Sequence, residues 1–318
     1  MSGGVVVVGS LHLDVVVTAP RLPAPDETVM GEAVTLVCGG KGGNQAVAAS
    51  RHGAPTAMLG RVGGDVFAAS LVDNLRAAGV DTSLIQRDEA AASGLSVAVV
   101  GADGEYGAVV VSAANRGLSA DGFALPEGAR VLVLQNEVPE AVNRSVAAEA
   151  RRRGAIVVLN AAPMRPTAPE TMRLVDLLIV NRIEAEALFE TPIHGVKDAL
   201  AAAKWAGGGF DGEAIVTLGS DGLVHRDRSG AVRHHAVRPA PVVSAHGAGD
   251  VFVGVLCAGL AVPVAMDEAI ADAQAAAARF VSTPLGERGL SIAAGPASVV
   301  SRAPSAPRAA TGARPACR

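Results

Sequence analysis

Four short apolar runs indicate the fold class of this chain: VLVL at 131–134, IVVL at 156–159, LLIV at 177–180 and IVTL at 215–218. They are almost wholly apolar, with only Thr217 interrupting them, which is typical of strands buried on both faces. Another such run, VVVV, stands at 5–8, and helical patterns separate the later runs, at 140–153, 169–175, 183–189 and 196–205. This alternation predicts an α/β protein in which a mostly parallel sheet carries helices on both faces.

Two other regions predict a second, smaller sheet. Segments 95–100 and 108–112 are strand-like and flank the turn sequence Gly101-Ala102-Asp103-Gly104, which indicates a hairpin. Segments 15–18 and 29–37 are also strand-like, with a proline-rich connection between them. We expect these pieces, within about 14–38 and 94–113, to form a small antiparallel sheet apart from the main one.

The composition excludes several classes of protein. Half of the 318 residues are hydrophobic and only 18% are charged, so the bulk of the chain is not intrinsically disordered. The net charge of −4 argues against a general nucleic-acid binder, which needs a basic face. The longest apolar stretch, at 251–266, contains Pro263 and is shorter than the ~18 residues that a membrane span needs. We therefore expect neither a nucleic-acid nor a membrane partner.

Other features predict a cytoplasmic protein. The apolar run at 5–8 is too short for a secretory signal, and the cysteines at 38, 257 and 317 form neither a metal pattern nor a disulfide framework. We expect reduced thiols, a folded domain over residues 1–300 and a disordered tail at 301–318, which is rich in Pro, Ala, Arg and Ser.

The stretch Gly247-Ala248-Gly249-Asp250 follows a strand-like run at 241–243 and precedes an apolar helical segment at 251–260. Small residues let the backbone approach a ligand closely, and the free N–H groups of a helix N-terminus favour an anion. A carboxylate beside such an anion hole can remove a proton from a hydroxyl that attacks a phosphoryl group. The alternative is an ordinary tight turn in which Asp250 caps a helix.

A second glycine-rich stretch, GGKGGN at 39–44, precedes a helix of small residues predicted at 45–51. Its glycines can open a pocket in which Lys41 and Asn44 offer donors to sugar hydroxyls or phosphate. The spacing is not that of a Walker A motif. The alternative is a flexible linker.

Two strand ends are further candidates for ligand contacts. Asn181 and Glu184 lie where a strand meets a helix, and they either order water, Mg²⁺ or phosphate or form a helix cap. The glycines after Thr217 suit a nucleotide lying across the sheet edge, or they form a simple turn. A literal G-x-G-x-x-G begins at Gly207, but it follows a helix and precedes a strand, so we reject it as a dinucleotide fingerprint.

In their order and spacing, these stretches resemble the ribokinase-like (PfkB-type) family of carbohydrate kinases from residue 5 to about 292. Segment 39–49 resembles the family's first signature and segment 247–250 its second, and the stretches LNAAP at 159–163 and 181–186 are also similar. The resemblance implies a three-layer α/β/α fold with a small β-sheet lid that commonly forms a homodimer. It also implies transfer of the γ-phosphoryl group of ATP to a sugar hydroxyl, typically O5 of ribose, with Mg²⁺ as cofactor.

The resemblance also implies a role for each matching residue. Asp250 is the catalytic base, beside an anion hole formed at Gly247, Ala248 and Gly249. The sugar pocket is implied to comprise His12, Asp14, Gly40, Lys41, Asn44, Glu137 and Asp250. Asn181 and Glu184 serve the Mg²⁺–phosphate region, Glu184 through water. Thr217, Gly219 and Gly222 border the nucleotide.

Two departures from the family pattern affect the expected activator and substrate. Ser244 stands where the family often has an aspartate of a monovalent-cation site, which puts activation by K⁺ in doubt, although Ser291 matches a serine near that site. His12 stands where asparagine usually contacts the sugar, so it either reshapes the pocket or makes the same hydrogen bond as a neutral ring. A kinase of another sugar or of a nucleoside, and an inactive sugar-binding protein, are the alternative functions.

Overall fold

The structure is a computed structural model that describes residues 3–102, 105–204, 210–237 and 240–283. Its strands are β1 (Gly4–Val8), β2 (His12–Ala19), β3 (Ala33–Gly39), β4 (Thr56–Gly63), β5 (Ile85–Asp88), β6 (Gly94–Gly101), β7 (Tyr106–Val111), β8 (Ala129–Gln135), β9 (Ile156–Asn160), β10 (Leu177–Asn181), β11 (Glu213–Thr217), β12 (Leu223–Arg226) and β13 (Val232–His235). Its helices are α1 (Lys41–Arg51), α2 (Phe67–Ala77), α3 (Glu140–Arg152), α4 (Pro169–Met172), α5 (Arg182–Phe189), α6 (Val196–Lys204), α7 (Ala248–Leu260) and α8 (Met266–Val281). The segments Ala113–Gly117 and Gly219–Asp221 form short 3₁₀ turns.

Within the described residues, the central sheet has nine strands in the order β13-β12-β11-β10-β9-β8-β1-β4-β5. All neighbours in it are parallel except β11–β12 and β12–β13, which form an antiparallel end. The four predicted apolar runs lie in β8 to β11, except for Leu218 just after β11, so the predicted sheet is confirmed. In the central sheet, β1 lies between β4 and β8. The chain adds β4 on one side of β1 first and β8 on the other side later, so the strand order reverses at β1. Such a reversal leaves a crevice at the carboxyl ends of the two strands concerned, here β1 and β8.

Two apolar layers cover the sheet and make the fold three-layered. On one face, Val5 and Val7 of β1 pack with side chains of the α1, α2, α7 and α8 layer, such as Leu256 and Ile270. On the other face, Val6 and Val8 pack with the α3, α5 and α6 layer. Because successive side chains of a strand point to opposite faces, the VVVV run serves both cores at once.

The lid is a separate four-stranded sheet in the order β3-β2-β6-β7. Its outer pairs are antiparallel, but the central pair β2–β6 is parallel, so the expectation of an antiparallel sheet was wrong for that pair. The reason is connectivity. β2 follows β1 and β6 follows the β4–β5 region, and both strands leave the parallel sheet in the same direction.

Several element boundaries also differ from expectation. The run at 241–243 is not a strand: Pro241 has no N–H group, and Val243 N–H donates to the carbonyl of Val281 at the end of α8 (2.8 Å). Segment 169–175 forms only the short α4, and α1 begins at Lys41 rather than at residue 45. The expected tail at 301–318, Ser291, Cys317 and the first two glycines of the G-x-G-x-x-G stretch lie outside the described residues.

The described part of the chain contains two cysteines, Cys38 and Cys257, and both are buried and free. Burial raises the pKa of the Cys38 thiol to about 12. Across the same ranges, the helices are too short or too polar for any of them to cross a membrane.

Candidate active site

Polar side chains line up where the strands of the central sheet end. Gln135 at the end of β8 lies opposite Asn160 at the end of β9, and Asn181 at the end of β10 lies opposite Thr217 at the end of β11. Parallel strands bring their carboxyl ends to one edge, which is where ligands bind in open α/β sheets. Residues from four separate parts of the sequence therefore meet along one edge, with Asn181 and Thr217 two residues farther along their strands than Gln135 and Asn160.

The glycine-rich stretch at 39–44 joins α1 tightly to the end of β1. Gly40 has φ = 87°, a left-handed conformation, and a Cβ there would lie 2.8 Å from the carbonyl oxygen of Ser10. A Cβ at Gly42 would lie 2.6 Å from the carbonyl carbon of Gly9, and Gly43 N–H donates to Ser10 O (3.0 Å). The stretch is thus a close helix–strand junction and not a flexible linker.

Asp250 is buried in the first turn of α7, and both its carboxylate oxygens accept hydrogen bonds from side chains of α1. Asn44 Nδ2 donates to Oδ2 (3.1 Å), and Gln45 Nε2 donates to Oδ1 (3.0 Å). The two helices can meet here because Gly254 has no side chain: a Cβ there would lie 2.5 Å from the carbonyl of Gln45. Burial raises the pKa of Asp250, against the opposing effects of Lys41, Asn44 and Gln45.

Gln45 connects Asp250 to the row of strand ends. Its Nε2 also donates to Asn160 Oδ1 (3.0 Å), and its Oε1 accepts from Gln135 Nε2 (2.6 Å). With both ends of its amide committed, Gln45 has one orientation, which fixes the position of the Asp250 carboxylate. Gln45 and Asn160 lie in stretches that carry the family resemblance, 39–49 and 159–163, but neither they nor Gln135 were among the candidate site residues.

Glu137 stands at the crevice between β1 and β8. Its Oε2 accepts from the backbone N–H of Lys41 (2.9 Å) and from the hydroxyl of Ser10. Glu137, Lys41 and His12 line one cavity of about 710 Å³. Both Lys41 and Glu137 act electrostatically on Asp250, so this cavity and the buried carboxylate belong to one site.

The same cavity is lined by buried polar atoms that have no hydrogen-bond partner among the described residues: His12 Nε2, Asn136 Nδ2, and Nε and Nη2 of Arg165. Leaving such groups unpaired costs free energy, so they mark where a polar ligand would bind. Asn136 and Arg165 were also absent from the sequence-based candidates. Asn136 directly follows β8, and this position at the carboxyl end of a predicted strand could have identified it as a candidate.

The lid supplies His12 and Asp14 from β2. Asp14 accepts a hydrogen bond from the hydroxyl of Ser96 on β6. Gly39 leaves space for the Asp14 carboxylate, because a Cβ at Gly39 would lie 1.9 Å from Asp14 Oδ2. Burial raises the pKa of Asp14, while nearby His12 and His246 lower it. Since His246 lies next to Gly247, Asp14 is also within electrostatic range of the loop that starts α7.

In the first turn of α7, one of the backbone N–H groups expected to bind an anion already has a hydrogen-bond partner. Gly247 caps the helix with φ = 82°, so its left-handed conformation suits glycine. Gly249 is exposed, whereas the N–H of Ala248 already donates to the carbonyl of Ala245 (3.1 Å). A smaller cavity of about 350 Å³ between α1, α7 and α8 touches this region through Asn44 and Gly247.

Asn181 and Glu184 form the helix cap that was the alternative interpretation. Asn181 Oδ1 accepts from Glu184 N–H (2.9 Å), and Glu184 Oε2 accepts from Asn181 N–H (2.8 Å). Glu184 is nevertheless part of the site, because Lys41 and Asp250 both act on it. Its pKa is raised by burial, opposed by the bond from Asn181 and by Lys41.

The glycines after Thr217 form a turn at the same edge of the sheet. Gly219 and Gly222 have φ values of 63° and 85°, and a Cβ at Gly222 would lie 2.2 Å from the carbonyl oxygen of His235. Thr217 Oγ1 donates weakly to the carbonyl of Val180 (3.4 Å). Ser244 is half-buried in the loop before α7, and its Oγ accepts from His246 N–H (3.4 Å).

Comparison with known proteins identifies the family. The profile of the pfkB family of carbohydrate kinases matches residues 3–291. A ribokinase of Bacillus subtilis is 34% identical over 260 residues, which cover 80% of this chain and 85% of that protein. A deoxyribokinase of Salmonella typhi is 29% identical, covering 79% of this chain and 83% of that protein.

A solved structure agrees with these sequence matches. The structure of Arabidopsis thaliana ribokinase complexed with ribose and ATP superposes with a TM-score of 0.81 at 27% identity, covering 89% of this chain and 94% of that one. The fold, the match over nearly all of the described residues and the shared identity agree, and the chain is therefore a member of the pfkB family of carbohydrate kinases, phosphotransferases that act on an alcohol group.

Proposed function

We propose that the chain is an ATP-dependent ribokinase that transfers the γ-phosphoryl group of ATP to a hydroxyl of D-ribose, giving ribose 5-phosphate. The observation that carries the proposal is Asp250: a buried carboxylate in the first turn of α7, held by two amides of α1 beside a cavity with unpaired polar atoms. The names of the B. subtilis and A. thaliana relatives support ribose as the sugar, and the ATP complex of the latter supports the donor.

The proposed sugar pocket lies between the lid and the carboxyl edge of the sheet. Asp14 and Glu137 would accept hydrogen bonds from sugar hydroxyls, and Asn44 and Lys41 would donate to them, while Gly40 keeps the backbone close. His12 Nε2 and the unpaired atoms of Asn136 and Arg165 add further partners. A sugar lacking a hydroxyl would leave one of these buried groups unpaired, which is how such a pocket discriminates.

Asp250 would act as the general base that takes the proton from the attacking hydroxyl. Its raised pKa suits this task, because a base whose pKa is closer to the working pH accepts a proton more readily. Gly247, Ala248 and Gly249 would receive the negative charge of the transferring group at the N-terminus of α7. For this, the N–H of Ala248 would exchange its bond to Ala245 for one to a phosphoryl oxygen.

The nucleotide would lie along the other end of the same edge, bordered by Thr217, Gly219 and Gly222. Glu184 provides a carboxylate and Asn181 an amide oxygen, and oxygen atoms are the ligands that Mg²⁺ prefers. Because these two side chains already bond to each other's backbone in the helix cap, they would contact the ion through water. When bound with ATP, Mg²⁺ neutralises charge on the phosphate oxygens. Lys41 would add positive charge between Glu184 and Asp250.

We further propose that the lid forms a homodimer with a second copy of the chain. The strand register places Leu36, Val15, Val97 and Val109 directly opposite one another in one row, hence on one face of the lid. Asp14 is adjacent to Val15 in the strand and so lies on the other face, toward the sugar pocket. Val109 is 68% exposed, and a continuous apolar face of this kind marks an interaction surface.

His12 favours a second candidate within the same activity, a kinase of deoxyribose or another pentose. The ring is bulkier than asparagine and sits in the cavity, and a deoxyribokinase is among the relatives. The remaining alternatives are a nucleoside kinase and a sugar-binding protein that has lost catalysis. Asp250 and its two partners on α1 are in place, which argues for an enzyme.

The test is ADP release from Mg-ATP across ribose, deoxyribose, other pentoses, hexoses and common nucleosides, each with and without K⁺. Turnover that is highest with ribose supports the proposal, and turnover that is highest with another sugar or a nucleoside overturns the substrate while keeping the reaction. No turnover, with sugar binding still detected as a thermal shift, would mean an inactive binding protein.

A further inference from the structure

A group of metal-binding side chains lies on the antiparallel end of the central sheet, outside the site described above. His225 on β12 and His235 on β13 approach Asp267 in the first turn of α8. In the register of this hairpin, His225 lies opposite Arg233 and Leu223 lies opposite His235. The two histidines therefore share the face of the hairpin that packs toward α8, whereas His234 lies on the opposite face.

The hydrogen bond between His225 and Glu213 leaves the other ring nitrogen of His225 available to a metal ion. His225 is almost completely buried, and its Nε2 is 2.8 Å from Glu213 Oε2. A carboxylate only accepts, so in the neutral ring Nε2 carries the proton and Nδ1 keeps its lone pair. Nδ1 has no partner within the described ranges, and a histidine that donates to a carboxylate through its other nitrogen is the usual arrangement at metal centres.

His235 and Asp267 complete the group. His235 Nε2 is also buried without a hydrogen-bond partner in the described part of the chain, and it lies 3.7 Å from Asp267 Oδ1. The other oxygen of Asp267 accepts from Arg233 Nη1 (3.3 Å), which leaves Oδ1 toward the histidine. One ligand atom from each of the three residues lies within 4.8 Å of the others.

The spacing can close around a single ion. Zn²⁺ bonds of about 2.1 Å in a tetrahedral arrangement put the ligand atoms about 3.4 Å apart. The exposed Asp267 can supply much of that movement, since its carboxylate is on the solvent side of the group. Three protein ligands then leave a fourth position to water.

We propose that His225, His235 and Asp267 form a binding site for a divalent transition-metal ion such as Zn²⁺, Co²⁺ or Ni²⁺. Two imidazoles and one carboxylate suit these ions better than Mg²⁺, which prefers oxygen ligands. The ion links the β12–β13 hairpin at the edge of the sheet to α8. It is distinct from the Mg²⁺ that accompanies ATP, so the proposal does not depend on the proposed function.

The first test is metal binding to the full chain after removal of metals with a chelator and dialysis. Zn²⁺ is titrated calorimetrically and Co²⁺ by its visible absorption, because tetrahedral Co²⁺ with nitrogen ligands gives a characteristic spectrum. We expect one ion per chain and a higher melting temperature with Zn²⁺ than without it. The absence of binding to the wild-type chain overturns the proposal.

Variants locate the site. His235→Gln and Asp267→Asn should each weaken Zn²⁺ binding by more than about tenfold. Glu213→Gln changes the hydrogen bond that orients the His225 ring, and it should weaken Zn²⁺ binding by about 10–100-fold. The matched control is His234→Gln, whose ring lies on the opposite face and bonds to the carbonyl of Asp221 (2.7 Å). Circular dichroism verifies that each variant is folded. If His235→Gln binds Zn²⁺ as tightly as His234→Gln does, the ion lies elsewhere and the proposal is wrong.

Discussion

Replacing Asp250 with asparagine removes one charge from the centre of the site at almost constant volume. If Asp250 is the general base, turnover should fall by about 10²–10⁴-fold, which corresponds to about 2.7–5.4 kcal/mol of transition-state stabilisation. The sugar should still bind, because Asp14, Lys41 and Glu137 of the proposed pocket are unchanged.

The neighbouring amides determine whether the variant keeps its structure. Gln45 cannot reverse its amide, because Gln135 donates to its Oε1 and Asn160 accepts from its Nε2. The new carbonyl oxygen must therefore face Gln45, and the new NH₂ group faces Asn44. Asn44 can turn its own amide to accept from that group, so the cost should not exceed that of one hydrogen bond, about 1 kcal/mol.

Asp250→Asn should therefore fold as well as the wild-type chain near neutral pH. The pKa of Asp250 in the folded chain lies above its unfolded value, so folding favours the protonated form. As pH rises through the folded pKa, the ionised carboxylate lowers the free energy of unfolding, and the neutral amide avoids that loss. The raised pKa of Asp250 also affects catalysis, because the general base must be ionised to accept a proton. As pH is lowered, kcat/KM of the wild type should therefore begin to fall at a pH above the usual pKa of an aspartate.

The assay is steady-state ADP release at several pH values, with sugar binding measured by calorimetry. The matched control is Asp272→Asn, which removes an exposed carboxylate from α8 and should leave turnover unchanged. Turnover of Asp250→Asn within tenfold of the wild type, with the sugar still bound, would refute the assignment of Asp250 as the base.

Three further predictions concern the activator, the sugar and the lid. With Ser244 in place of a charged residue, turnover should rise little when KCl replaces an equimolar salt of a large organic cation; a steep rise contradicts this. His12→Asn should shift the ratio of kcat/KM for ribose over deoxyribose by about tenfold toward ribose, since one pocket contact is worth ~1–3 kcal/mol, and an unchanged ratio removes His12 from specificity. Val109→Asp should halve the mass measured by light scattering, whereas Val66→Asp, at an exposed position outside the lid, should not; an unchanged mass for the first variant, or a wild-type monomer, refutes a dimer through the lid.

Sequence patterns predicted the strands that carry apolar runs, namely β1, β8 to β11 and those of the lid, and missed β4, β5, β12 and β13. The runs in β8 to β11 are continuous and apolar, so they stand out. In β4, Gly60 and Arg61 interrupt the pattern, and β13 contains two histidines and an arginine. Strands of mixed composition owe their structure to neighbours in the sheet, which a single sequence does not display.

The same distinction applies to the site. Motifs whose residues are close in sequence, such as the segments around Lys41 and Asp250, could be found directly. Gln135, Asn160 and Arg165 reach the site only because strand ends converge, and convergence is a property of the sheet. The signal available for the first two was their position immediately at the end of an apolar run.

Strand β2 of the lid bears on how this protein can change over evolutionary time. Its odd and even positions face opposite ways, with Asp14 toward the proposed sugar pocket and Val15 toward the apolar row. Substitutions can alter either surface independently. Inserting or deleting one residue would exchange the two surfaces, putting valines against the sugar and a carboxylate in the apolar row. We therefore expect related chains to vary in residue type along β2 while its length stays constant between Gly9 and Ala19.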